Sequence, residues 1–218
     1  MVRHPGNTNL TLHYDATYLG LPVQQDKGPF VLSYLERLKQ TIDRALVQYR
    51  RVFAFRVDLR FPANQQLPAD AFTNEVMSRF IESFKAKIAH NRRRALAVDK
   101  YAHECVVRNV WAREIGESGR PHYHLLILLN GDAYCALGSF TSKQSNTCHR
   151  LEEAWASALG LPVAAVDGLV HIPDDPTYKL RRGDQQGMND LFHRASYLCK
   201  AATKSYGNGQ HGFGCSRN

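Results

Sequence analysis

The sequence predicts an α+β fold, a central antiparallel sheet covered by helices, with an additional helix on its N-terminal side. Three observations carry this. The stretch from Val52 to Phe61 alternates apolar and polar residues as a half-buried strand does. Two apolar stretches flank Gly116-Glu117-Ser118-Gly119 and read as a hairpin. Helical stripes interleave with the strands in the order helix, strand, helix, strand, strand, helix, strand, helix.

Residues 1–27 carry no sustained periodicity and read as an arm closed by Lys27-Gly28-Pro29. From Phe30 to Arg50, Val31, Leu35, Leu38, Ile42, Ala45, Leu46 and Tyr49 form one helical stripe. In the strand that follows, Phe53, Phe55, Val57, Leu59 and Phe61 take one face, and Arg56, Asp58 and Arg60 the other; Pro62 ends it. Pro68-Ala69-Asp70 opens a second helix through Val76, Phe80, Phe84 and Ile88, with Asp70 as its expected cap. Cys105 to Ile115 and His122 to Leu129 are the hairpin strands. A third helix is expected over Phe140 to Leu159, a short strand over Leu169 to Ile172, and a last helix from Asn189 to Lys204. Residues 205–218 are glycine-rich and read as a loose tail, which leaves 28–204 as the working domain.

With 44% hydrophobic and 22% charged residues the chain has globular composition. No apolar run reaches the roughly 18 residues of a membrane span, and no apolar stretch follows the N-terminal Arg3, so neither membrane nor secretion is expected. Cys105, Cys135, Cys148, Cys199 and Cys215 are odd in number and form no CxxC pair. That argues against a disulfide framework and a thiolate zinc site, and for a reducing, cytoplasmic setting.

Three pieces carry chemistry. In a strand, His122 and His124 point to one face and present two imidazoles side by side, suited to a divalent cation. Two hydrogen-bonded, silent histidines on a half-buried strand would satisfy the same spacing. Glu114 ends the preceding strand, and the hairpin would return His122 close to it; with the histidines it makes a set of two nitrogens and an oxygen that tolerates Mg²⁺ or Mn²⁺. Asp58 competes for the third position. On the last helix His193, Tyr197, Lys200 and Lys204 share one face, placing a phenol among cations. A phenol used as a nucleophile needs such positive charge nearby; a solvated helix face with one aromatic reads the same way.

The net charge is +8, and it is concentrated. Arg79 to Lys100 holds seven basic and two acidic residues, including Arg92, Arg93 and Arg94, and Lys179 to Lys204 holds six and two, including Arg194 and Lys204. A phosphodiester backbone is a natural ligand for that distribution.

Taken in order, these residues resemble the HUH endonucleases, the Rep and relaxase superfamily, over about residues 30–206. Phe53 to Phe61 is similar to the family's first strand motif, His122-Tyr123-His124 to its His-hydrophobe-His motif, and Tyr197-Leu198-Cys199-Lys200 to the Tyr-x-x-Lys of single-tyrosine initiators. The wording around Trp111-Ala-Arg-Glu-Ile, Gly-Arg-Pro-His-Tyr-His-Leu-Leu and Arg-Ala-Ser-Tyr-Leu-Cys-Lys looks most like the inovirus-type replication initiation proteins of filamentous phages and prophages.

The resemblance implies a palm-like sheet and one Mg²⁺ or Mn²⁺ held by His122, His124 and Glu114. It also implies attack by Tyr197, assisted by Lys200, to give a 5′-phosphotyrosine and a free 3′-hydroxyl. Rolling-circle replication in a bacterial cytoplasm would follow. The DNA would be single-stranded or a locally melted origin hairpin, contacted by Arg92, Arg93, Arg94, Arg194 and Lys204. No Gly-rich phosphate loop is present and 218 residues leave no room for a helicase, so a host helicase and polymerase are expected partners. A transposase or relaxase of the same superfamily shares all of this chemistry. A non-catalytic nucleic-acid-binding domain shares only the charge.

Overall fold

The computed structural model describes residues 2–63, 65–116, 119–207 and 209–217. Its elements run β1 (Arg3–His4), β2 (Asn7–His13), β3 (Thr17–Tyr18), β4 (Leu21–Pro22), β5 (Phe30–Val31), α1 (Leu32–Gln48), β6 (Arg51–Leu59), α2 (Asn74–Val98), β7 (Arg108–Ile115) and β8 (Pro121–Asn130). There follow α3 (Thr147–Leu159), β9 (Val170–His171), β10 (Thr177–Arg181), α4 (Gln185–Ser196) and β11 (Phe213–Cys215). The main sheet has the order β10-β6-β8-β7-β11, every pairing antiparallel, and β9 pairs with the other end of β6. The fold is α+β, as expected. Among the described residues no helix is long and apolar enough to cross a membrane.

Side-chain alternation divides the interior into two cores. Phe53, Phe55, Val57 and Leu59 of β6 join Leu125, Ile127 and Leu129 of β8 on one face, under Phe80, Phe84 and Ile88 of α2 and Leu151 and Trp155 of α3. Val52, Ala54, Val110, Ala112, Leu126 and Leu128 take the other face, under Leu35, Leu38 and Ile42 of α1 and Leu191, Phe192 and Ala195 of α4. Burial on both faces explains why β8 ends in an unbroken apolar run. His122 and His124 break it only at the open end of the sheet, where each is half-buried.

Several boundaries differ from expectation, each for a local reason. The N-terminal residues form β1, β2 and β5 as a small sheet, with Leu12, Leu21 and Val23 buried in the second core. Asp70 does not cap α2. It pairs with Arg79, while the Thr73 hydroxyl accepts the Glu75 amide at 3.2 Å. The α3 helix starts at Thr147 because Asn146 caps it, accepting from the His149 amide at 3.2 Å and donating to the Ser139 carbonyl at 2.8 Å. Such local side-chain bonds hold residues 139–146 out of the helix. In the expected turn, Glu117 and Ser118 lie outside the described residues.

The last helix stops at Ser196, a 3₁₀ turn carries Tyr197–Cys199, and Lys200 is extended in a backbone bridge to Phe30. Lys200 and Lys204 are therefore not helical. Part of the glycine-rich tail forms β11, whose Phe213 stacks on Tyr34 at 4.3 Å. Gly214 is there for close packing: a Cβ would meet the Trp111 ring at 2.4 Å.

Candidate metal centre

The registers of β6, β7 and β8 assemble the site. Glu114 lies opposite His122, and His124 lies between Ala112 on one side and Asp58 on the other. All four side chains share the α1/α4 face of the sheet. The ligating atoms of Glu114, His122 and His124 lie within 4.8 Å of one another, and this group could hold a metal ion. Glu114 Oε2 is 3.6 Å from His124 Nε2 and 3.9 Å from His122 Nε2.

Asp58 stands behind this group. His124 Nδ1 donates to Asp58 Oδ1 at 2.6 Å, which leaves Nε2 facing Glu114 without a hydrogen-bond partner. A carboxylate that fixes the distal ring nitrogen is how metal-ligating histidines are commonly oriented. Asp58 is also 3.6 Å from the buried Arg56 guanidinium and 3.8 Å from His171. Burial alone would push the Asp58 carboxyl up, but the His124 hydrogen bond and charge, with Arg56, hold it below the usual range. Burial disfavours charge on His124, yet the hydrogen bond to Asp58 and the nearby Asp58 and Glu114 carboxylates outweigh it and raise that ring above the ordinary histidine value. His122 moves the other way, lowered by burial and by His124.

Glu114 is 2% exposed and would be raised by burial, but His124, Lys204 and Lys200 together hold it well below the usual carboxylate range. Lys200 Nζ lies 2.9 Å from Glu114 Oε2 and donates to the Tyr197 hydroxyl at 2.6 Å. The phenol is thereby joined to the carboxylate through one ammonium. His124 meets the Tyr197 ring edge-on at 5.2 Å, and Arg56 lies 5.6 Å from its centroid. Gln24 holds this turn from the N-terminal side. Its side chain donates to the His193 and Arg194 carbonyls at 3.1 and 2.9 Å, and its amide to Ser196 Oγ at 3.0 Å. The Ala201 amide donates to the Pro29 carbonyl at 2.8 Å.

The structure thus brings together Glu114, His122, His124, Tyr197 and Lys200, with Asp58 as a supporting carboxylate. Lys204 is not a surface contact. Its side chain is 0% exposed with Nζ 3.6 Å from Glu114 Oε1, and burial lowers its pKa to about 8. Arg194 borders the site, half-buried, donating to the Asp174 carbonyl at 3.0 Å. Arg92, Arg93 and Arg94 do not join it: they lie toward the far end of α2, on the opposite face of the sheet, with Arg92 4.7 Å over the Tyr134 ring. Arg56 and His171 were missed by sequence reasoning; the signal for Arg56 was its place on the Asp58 face of a strand buried on both sides.

Residues 14–216 match the model of the YagK/YfjJ C-terminal domain. The chain is 35% identical to YagK of Escherichia coli strain K12 over 89% of its own length and 97% of YagK, and 32% identical to YfjJ of the same strain over 87% and 96%. Both are described as uncharacterized proteins. Among solved structures, the N-terminal nuclease domain of minute virus of mice non-structural protein 1 aligns with 83% of this chain and 78% of that one. With 10% identity and a TM-score of 0.27, that likeness carries no argument. By the extent and identity of these matches, the chain belongs to the YagK/YfjJ C-terminal domain family.

Proposed function

We propose that the protein nicks and rejoins single-stranded DNA through a 5′-phosphotyrosine, dependent on a divalent cation, in the service of rolling-circle replication of a phage or prophage element. The observation that carries this reading is the junction of Tyr197, Lys200 and Glu114 beside His122 and His124. A nucleophile, its activating cation and a metal-type donor set meet in one place.

The donors suit Mg²⁺ or Mn²⁺. Glu114 Oε1 and His124 Nε2 are buried without hydrogen-bond partners, and buried polar atoms in that state are uncommon. Glu114, His122 and His124 would hold the ion, and when bound it supplies positive charge against the scissile phosphate. Lys200 stabilises the Tyr197 oxygen as its proton leaves for solvent. That oxygen bonds to phosphorus while the P–O3′ bond breaks, and the departing 3′-oxygen takes up a proton from water. Reversal with a 3′-hydroxyl rejoins the strand without external energy. Arg56 keeps positive charge over the phenol face and Asp58 keeps the His124 ring in register.

The test is a covalent adduct. Incubated with Mn²⁺ and a labelled pool of random single-stranded oligonucleotides, the wild type should yield a protein–DNA band that survives denaturation and is absent in Tyr197→Phe. A wild type that binds the pool without forming an adduct would replace this reading with a non-catalytic binding domain.

A further inference from the structure

Outside the metal centre, the described surface carries a groove of about 450 Å³ along the β11 edge of the sheet. Arg37 and Arg44 of α1 form one wall, Arg217 and His211 flank β11, and the half-exposed Trp111 lies across Gly214. Among the described residues no carboxylate lines it, and none of the three arginines is paired with one. A second hollow of about 400 Å³ shares Arg37, His211 and Phe213 and continues along Tyr206, Gly207 and residues 209–212, again without an acid among the described residues. The groove adjoins the metal centre. Phe213 pairs with Ala112, two residues from Glu114, and Gly212, which accepts from the Arg113 amide, packs against the Lys204 side chain.

Guanidiniums without a described carboxylate partner beside a partly exposed indole suit a single strand: cations for successive phosphates and the free part of a flat ring for a base. A duplex hides its base faces from such a ring. We infer that the α1–β11 groove is the path by which single-stranded DNA is held beside the metal centre, with Arg37, Arg44 and Arg217 on its backbone and Trp111 against a base. The inference rests on the nickase reading and says where its substrate lies.

Two variants that each remove three positive charges give the test. One is Arg37→Ala/Arg44→Ala/Arg217→Ala. The other is Arg92→Ala/Arg93→Ala/Arg94→Ala, on the opposite face of the sheet. Arg37, Arg44 and Arg217 are exposed, so the first variant keeps the fold. Affinity for a labelled single-stranded oligonucleotide is read by anisotropy across a salt series. The groove variant should bind about ten-fold more weakly, and its log–log salt slope should fall by about 2, near 0.7 for each lost phosphate contact. The comparison variant should lose clearly less.

Occupancy has its own readouts in the wild type. Unlabelled single strand should quench Trp111, since the other tryptophan, Trp155, is fully buried; the quench should vanish in Trp111→Phe. It should also protect Cys215, in the groove wall, from maleimide. Equal losses in both triple variants, no loss in the groove variant, or preference for duplex would overturn the groove. If the adduct forms and the groove variant binds as the wild type does, the groove fails and the nickase stands. If single strand quenches Trp111 and the groove variant loses affinity but no adduct forms, the nickase fails and the groove stands.

Discussion

Asp58→Asn should weaken divalent-metal binding while leaving the fold in place. In the protein, the Asp58 carboxylate accepts from His124 Nδ1 at 2.6 Å and so keeps Nε2 free to face Glu114. Hydrogen bonds to charged groups contribute roughly 1.5–3 kcal/mol. Loss of a carboxylate behind a metal-bound histidine commonly costs about 10–100-fold in affinity, or roughly 1.4–2.8 kcal/mol. Asparagine keeps the shape and a neutral acceptor, so the loss should fall near the lower end, about ten-fold. Alanine is the poorer probe, because it leaves the buried Arg56 guanidinium, 3.6 Å away, without even a neutral acceptor. Mn²⁺ titration followed by electron paramagnetic resonance measures the constant in wild type, Asp58→Asn and Glu114→Gln, with Glu114→Gln losing most. Unchanged affinity in Asp58→Asn would refute the orienting role. A loss as complete as that of Glu114→Gln would make Asp58 a direct ligand.

Three further outcomes follow from the structure. Lys200→Met should slow adduct formation by about 10²–10³-fold, the usual effect of removing one donor to a developing oxyanion, as timed by quenched-flow on a cleaved oligonucleotide. Trp155→Ala should lower unfolding stability by about 3–5 kcal/mol in urea, since the ring is fully buried and its Nε1 donates to the Arg60 carbonyl at 2.8 Å. Burial pushes the Cys105 and Cys148 thiols up to about 11, so at pH 8 only roughly one in a thousand is the reactive thiolate. Mass spectrometry after iodoacetamide should find exposed Cys135 modified first, and the other two only as the pH approaches 11.

The metal-type donor set was legible because it depends on local geometry. A period of two aligns His122 with His124, and a hairpin returns Glu114 to the same end. The place of Asp58 was not, because it depends on β6 lying beside β8 in a register that no short-range pattern encodes. The last helix was overextended for a related reason. The stripe through Lys204 persists in the sequence, but a bridge from Lys200 to Phe30 takes over the backbone. Short strands such as β1, β5 and β11 gain their stability from partners distant in the chain and carry almost no periodicity of their own. The charge map pointed to two segments, whereas the basic groove gathers Arg37, Arg44 and Arg217 from separate parts of the chain.

The hold that Gln24 keeps on the tyrosine turn spans 172 residues of sequence. Contacts of such separation close late in folding. A chain emerging from the ribosome carries the histidine pair before its tyrosine exists, and then carries the tyrosine before Lys204 and β11 have been added beside Glu114. The turn that carries Tyr197 is held at both of its ends, by Gln24 on one side and by the Lys200 bridge to Phe30 on the other. A chain clipped near residue 24 keeps every chemical group of the centre and loses the hydrogen bonds that hold the tyrosine turn from the N-terminal side.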